Sequence, residues 1–150
     1  MKGQTLIETL VALGIAVIVI SAITTTAISS LSNSQYIRNQ DMATKYATEG
    51  IEIVRKIRNA GYTNFRTYNG TYCLAQNQTT LGSAVASCTT LNIGTTFIRS
   101  VQVQLNGCSP NISRATVIVA YTSGKCTVGT YCHSSRLISC LSTVDPVPAP

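Results

Sequence analysis

Between Glu52 and Asp145 the chain has neither aspartate nor glutamate, and its 150 residues include one histidine, His133. Catalysis by paired carboxylates therefore has no candidates in that stretch, and a calcium cage has no ligands there. A nucleophile at Cys132 or Ser134 with His133 as base would lack an orienting acid, and neighbours on a strand point to opposite faces. Cys126 and Cys132 do not have zinc-knuckle spacing. The inventory points to no enzyme, no cofactor and no metal, and His133 reads as a surface or turn residue. Proline is missing before Pro110, so no proline breaks a helix in the first two thirds of the chain. Charge is scarce throughout, with 11% Asp, Glu, Lys and Arg, and it is absent from Thr9 through Ile37. No internal repeat is present.

What fills the uncharged interval is a long apolar run. Gly3-Gln4-Thr5-Leu6-Ile7-Glu8 leads into Thr9-Leu10-Val11-Ala12-Leu13-Gly14-Ile15-Ala16-Val17-Ile18-Val19-Ile20, with Met1-Lys2 in front. Roughly 20 mostly apolar residues suffice for a helix to cross a bilayer. Glu8 is the anomaly, since a carboxylate near hydrocarbon is costly and marks a function that needs a partner. A secretory signal peptide would want a richer basic start, an unbroken core and a small-residue exit, for which Thr25-Thr26-Ala27 is mediocre. A plain anchor leaves Glu8 without a purpose.

The stretch from Gly3 to Leu13 resembles the N-terminus of type IV pilins and pseudopilins. The resemblance implies cleavage by a prepilin peptidase between Gly3 and Gln4 on the cytoplasmic side and methylation of the new N-terminus at Gln4, where the family usually has Phe. It also implies that Glu8 pairs with the N-terminal amine of a neighbouring subunit during assembly. The implied location is a single-pass inner membrane protein before assembly and an extracellular filament, a pilus, afterwards. The implied partners are the membrane, the peptidase, and copies of the chain or other pilins.

The run softens at Ser21-Ala22-Ile23-Thr24-Thr25-Thr26 and then acquires a helical period. Tyr36, Ala43, Tyr46, Ala47, Gly50, Ile51, Val54 and Ile57 share one face, and Arg38, Asp41, Lys45, Glu49, Glu52 and Lys56 share the other. Asp41 with Lys45 and Glu52 with Lys56 have the favourable acid-before-base i,i+4 spacing. Arg55-Lys56-Ile57-Arg58-Asn59-Ala60-Gly61 signals the stop, with cations in the last turn and glycine after it. One helix from Leu6 to Arg58 would be about 80 Å long. Tyr62 to Gly94 reads as a long connecting loop, with room for a short helix or strand, that needs an anchor.

Three strands follow. Phe97 to Leu105 alternates apolar and polar from Arg99 on, and Asn106-Gly107 begins a turn. Ile112 to Tyr121 is β-branched and suits a central strand. Thr122-Ser123-Gly124-Lys125 turns again, and Arg136 to Leu141 makes the third. The expected fold class is α+β: a long N-terminal helix, transmembrane in its first half, packed on a disulfide-stapled antiparallel meander of three to four strands. The strand pair Phe97 to Leu105 and Ile112 to Tyr121 also resembles the sheet of minor pilins and pseudopilins. The division expected is a leader 1–3, a membrane or filament-core helix 4–30, an amphipathic helix half 31–61, a globular β domain with its connecting loop 62–143, and a disordered proline-rich tail 144–150.

Six cysteines, all beyond the apolar run, read as a disulfide set in an oxidising compartment. Six allow 15 connectivities. The strand reading favours Cys126 with Cys132 flanking the second turn, Cys108 with Cys140 at one end of the meander, and Cys73 with Cys88 in the long loop. Arg55, Lys56, Arg58 and Arg66, interleaved with Tyr62, Phe65 and Tyr68, raise a reading as a DNA or surface-ligand site, against solvated charge at a helix end. Asn69-Gly70-Thr71, Asn77-Gln78-Thr79 and Asn111-Ile112-Ser113 match the glycosylation triplet, a pattern common by chance in such a chain. The functional expectation is a structural filament subunit. The alternatives are a pseudopilin of type II secretion and an anchored or secreted extracellular binding module.

Overall fold

The computed structural model describes residues 4–123, 126 and 131–142. The expected leader at Gly3, the turn residues Gly124 and Lys125, and the proline-rich tail at 144–150 lie outside them. The chain divides into two compact units, Met1–Arg38 and Asn39–Pro150. Helix α1, Gln4–Ala60, supplies all that is described of the first unit and the opening of the second.

In the second unit, α1 is followed by α2 (Tyr62–Phe65), β1 (Gly70–Cys73), β2 (Phe97–Ser109), β3 (Ile112–Tyr121) and β4 (His133–Leu141). The four strands form one antiparallel sheet in the order β1-β2-β3-β4. The α+β class and the helix-on-sheet arrangement are therefore as the sequence predicts. The fourth strand is β1, a four-residue segment inside the stretch read as a connecting loop.

The core lies between one helical stripe and the inner face of the sheet. Ala43, Ala47, Ile51 and Val54 of α1 are buried against Val101, Val103, Ala115, Val117, Val119 and Tyr121. The period-3.6 stripe of α1 meets the period-2 faces of β2 and β3. Gly50 sits at a close approach between the two. A Cβ built there would stand 2.8 Å from a Val117 methyl, and Val117 is fully buried and stiff at χ1. Mid-helix glycine ordinarily costs about 1 kcal/mol relative to alanine. Here the order reverses, and Gly50→Ala is expected to destabilise by roughly 1–3 kcal/mol through overpacking. Urea unfolding of the wild-type and variant chains in detergent measures the difference.

Three expectations need correction. The turn at Asn106-Gly107 is instead part of β2, where the β2–β3 register shifts between Gln104 and Ser109, and the reversal occurs at Pro110-Asn111. Asn111 has φ 64° and Asn106 has φ 57°, and the Asn106 Oδ1 accepts the Asn111 backbone N–H at 3.0 Å. Two asparagines able to adopt a left-handed backbone thus divide between bulge and turn what looked like a single turn signal. β4 begins at His133, three residues before Arg136. His133 lies opposite Tyr121 with ring centroids 5.4 Å apart, so it is a half-buried strand residue rather than a turn residue. Finally, Glu52 does not pair with Lys56. It meets Arg55 at 2.6 Å, and neither expected i,i+4 pair forms among the described residues.

The disulfides are Cys73–Cys88, Cys108–Cys140 and Cys126–Cys132, with Cα separations of 5.6, 6.0 and 5.7 Å. They close 15, 32 and 6 residues respectively. Loop-closure entropy then ranks their contributions at roughly 3, 4 and 2 kcal/mol, less whatever strain each carries. Replacing both cysteines of a pair by serine should lower the urea midpoint most for Cys108 with Cys140 and least for Cys126 with Cys132.

Candidate functional site

In the first unit α1 displays the apolar run without cover. Leu6, Ile7, Leu10, Leu13, Ile15, Val17, Ile18, Ile20, Ile23, Ile28 and Leu31 are each about 60–70% exposed. This helix is long and apolar enough to cross a membrane, and none of its most apolar window is buried in the fold. Residues 4–30 alone would rise about 40 Å, more than the roughly 30 Å hydrocarbon thickness.

The softening at Ser21 to Thr26 is less polar than it reads. The Ser21 hydroxyl donates to the Val17 carbonyl at 2.7 Å, Thr24 to Ile20 at 2.8 Å, and Thr25 and Thr26 to Ala22 at 2.9 and 2.8 Å. Thr9 donates in the same way to Leu6 at 2.9 Å. Each hydroxyl bonds inside its own helix, so none requires water or a partner. The apolar surface consequently extends past Ile20. That extension follows from the helix itself, because serine and threonine can reach the carbonyl three or four residues back only in helical geometry.

Glu8 is the exception. It is exposed on α1 one turn in from Gln4, and among the described residues no hydrogen bond or ion pair meets its carboxylate. Gly3, on the other side of the expected cleavage point, lies outside the described residues.

The second unit holds one charge cluster that periodicity does not reveal. Arg99 alternates onto the inner face of β2 and is fully buried. Its Nε donates to the Leu74 carbonyl at 3.1 Å, its Nη2 to Ala75 at 2.8 Å and its Nη1 to Tyr46 at 3.1 Å, with the Glu49 carboxylate 3.4 Å from Nη1. Burial holds the guanidinium below its ordinary pKa, and Glu49 partly opposes that shift. The backbone of Arg99 is held as well. Asn92 Nδ2 donates to the Arg99 carbonyl at 2.8 Å, and the Arg99 N–H donates to Asn92 Oδ1 at 2.7 Å. One residue thereby ties together α1, the segment after β1, and β2. Glu49, placed on the outer helix face by its period, turns partly inward to join it. Leu74, Leu81 and Ile93 are buried under the same loop, which is thus anchored by apolar contacts and Asn92 in addition to a disulfide.

The remaining sequence candidates do not converge. Phe65 is fully buried and unavailable for stacking on bases. Arg55 is engaged by Glu52, and Arg58 donates to the Ser142 carbonyl at 3.2 Å. Cys126, Cys132 and His133 bring their ligand atoms within 4.8 Å of one another. With both sulfurs in the disulfide neither can act as a thiolate, and a single imidazole does not make a tetrahedral centre.

What the arrangement offers chemically is burial and charge pairing: an uncovered apolar helix bearing one carboxylate, joined to a stapled helix-on-sheet body. Compared with family models, with curated proteins and with solved structures, the chain finds no match in any of the three.

Proposed function

We propose that the chain is a type IV pilin-like structural subunit with the pilin fold, processed between Gly3 and Gln4 and assembled through the first half of α1. The observation that carries this reading is the Glu8 carboxylate, which meets no partner among the described residues and lies in an exposed apolar helix surface. Before assembly a bilayer covers that surface. In a filament the same surface packs against other subunits, so lipid burial is exchanged for protein burial. Ala12, Gly14 and Ala16 keep the helix slender enough for close approach, as small residues do in membrane interfaces. Nothing lies within 4 Å of a Cβ built on Gly14, which leaves that flank open to a neighbour. The positive partner that Glu8 needs is then the amine freed at Gln4 of an adjacent subunit.

The disulfide-stapled body suits an oxidising exterior, where a small domain gains stability without a large core. Mass analysis of the mature chain provides the test. A start at Gln4 bearing one added methyl group is the expected result. A start near Ile28 would identify a signal peptide, and an intact Met1 would identify a plain anchor.

A further inference from the structure

A cleft of about 390 Å3 opens in the second unit beside the C-terminal turn of α1, lined among others by Lys56, Ile57, Asn64, Tyr68, Thr79 and Thr80. Its volume falls within the range of small-molecule sites, which pair apolar walls with a few convergent polar groups. Ile57 and the Tyr68 ring supply the apolar wall. The Tyr68 ring is held edge-on to Tyr72 at 5.7 Å and 77°, so its orientation is set by the core. The segment that carries Thr79 and Thr80 is held on either side. The Ala75 N–H donates to Gln78 Oε1 at 3.0 Å, the Gln78 N–H donates to the Ala75 carbonyl at 3.3 Å, and Leu81 is buried. Thr79 and Thr80 stand between those anchors.

The polar groups of the cleft are unspent. Among the described residues, no hydrogen bond or ion pair engages the Lys56 ammonium, the Asn64 side-chain amide, or the Thr79 and Thr80 hydroxyls. Glu52, a turn before Lys56, is committed to Arg55 at 2.6 Å. No acid follows in sequence until Asp145. The cleft therefore presents one available cation, an amide, two hydroxyls and an aromatic wall.

We infer that this cleft binds a carboxylate-bearing sugar ring, a hexuronate, as a free monosaccharide or as a unit of an acidic polysaccharide. A pyranose offers an apolar C–H face to stack on Tyr68 and a rim of hydroxyls for Asn64, Thr79 and Thr80, and its carboxylate meets Lys56. A nucleotide would require a phosphate cradle of backbone amides, and a single lysine does not make one. The inference is independent of the filament reading, because every lining residue belongs to the folded body.

The test uses the full chain in detergent micelles and saturation-transfer NMR with three probes: glucuronate, neutral methyl β-glucoside, and acetate. Glucuronate ring protons should saturate, methyl β-glucoside should bind roughly fivefold more weakly, and acetate should give no transfer. Lys56→Gln should weaken glucuronate roughly fivefold, an exposed charge pair's worth, and leave the glucoside unchanged. Tyr68→Leu should weaken both sugars roughly tenfold, while Tyr68→Phe, which preserves the ring and its packing, should keep them. A methyl glycoside of a glucuronate disaccharide separates the sources, binding at least as well as the monomer if the polymer is the ligand. Absence of transfer from glucuronate, equal binding of acetate, or wild-type affinity in both Lys56→Gln and Tyr68→Leu would overturn the assignment.

Discussion

If the chain is the filament subunit proposed above, Glu8→Ala and Glu8→Gln variants should accumulate in the membrane at wild-type levels, be cleaved after Gly3, and be depleted at least about tenfold from sheared filaments. The membrane-stored state gains from either change, because an apolar or neutral residue costs less in hydrocarbon than a carboxylate. Glutamine also preserves size and much of the hydrogen bonding, so its defect isolates the charge. Glu8 is exposed on α1 and meets no partner among the described residues, so in a filament its charge would be compensated by an amine that a neighbour brings. A tenfold depletion corresponds to roughly 1.4 kcal/mol, within reach of a single charge-assisted hydrogen bond in an apolar setting. An ordinary anchor predicts no depletion, and a signal peptide predicts export as good or better. Immunoblots of the membrane and sheared fractions decide among them, and wild-type incorporation of both variants would remove the chemistry from the assembly proposal.

Arg99→Ala is expected to cost roughly 4 kcal/mol, a large share of the 5–15 kcal/mol typical of a folded domain. The substitution leaves a cavity at the centre of the second unit. It removes three hydrogen bonds from a charged donor, and the Leu74 carbonyl loses its side-chain partner in the interior. Arg99→Lys should recover only part of the loss, since an ammonium on a flexible stem cannot reproduce a planar fork spread over Tyr46, Leu74 and Ala75. Urea unfolding of the full chain, read by near-ultraviolet circular dichroism of the tyrosines, measures both. A loss below about 1 kcal/mol in Arg99→Ala would mean that the loop after β1 is held by its buried Leu74, Leu81 and Ile93, by Asn92 and by the Cys73–Cys88 bridge without help from the guanidinium.

Those two residues differ in how far the sequence alone exposes them. Glu8 stands out in the bare sequence because its surroundings are uniformly apolar, and the cost of a charge there depends on its neighbours in the chain. Arg99 looks unremarkable in the sequence, one polar position in an alternating strand. Its parity, taken literally, places it on the inward face with Val101 and Val103, and a pattern made of hydrophobic and polar letters assigns no reason for an arginine there. The carbonyls that justify it come from positions 24, 25 and 53 residues away.

Local order governed what the sequence by itself determined: the uninterrupted helix, the stripe Ala43, Ala47, Gly50, Ile51 and Val54 that packs on the sheet, the apolar reach of the first unit, and strands around Val101, Val117 and Leu137. These depend on periods of 3.6 and 2, which neighbouring residues set together. Only the tertiary structure decided that Gly70–Cys73 pairs as a strand with β2, that Asn106-Gly107 is a bulge, that Glu49 turns toward Arg99 and that Lys56 shares a cleft with Tyr68 and meets no acid among the described residues. Each of those outcomes turns on which distant donor, acceptor or ring arrives at a position. That is settled by closing the sheet over the helix, an event governed by contacts between segments far apart in the chain.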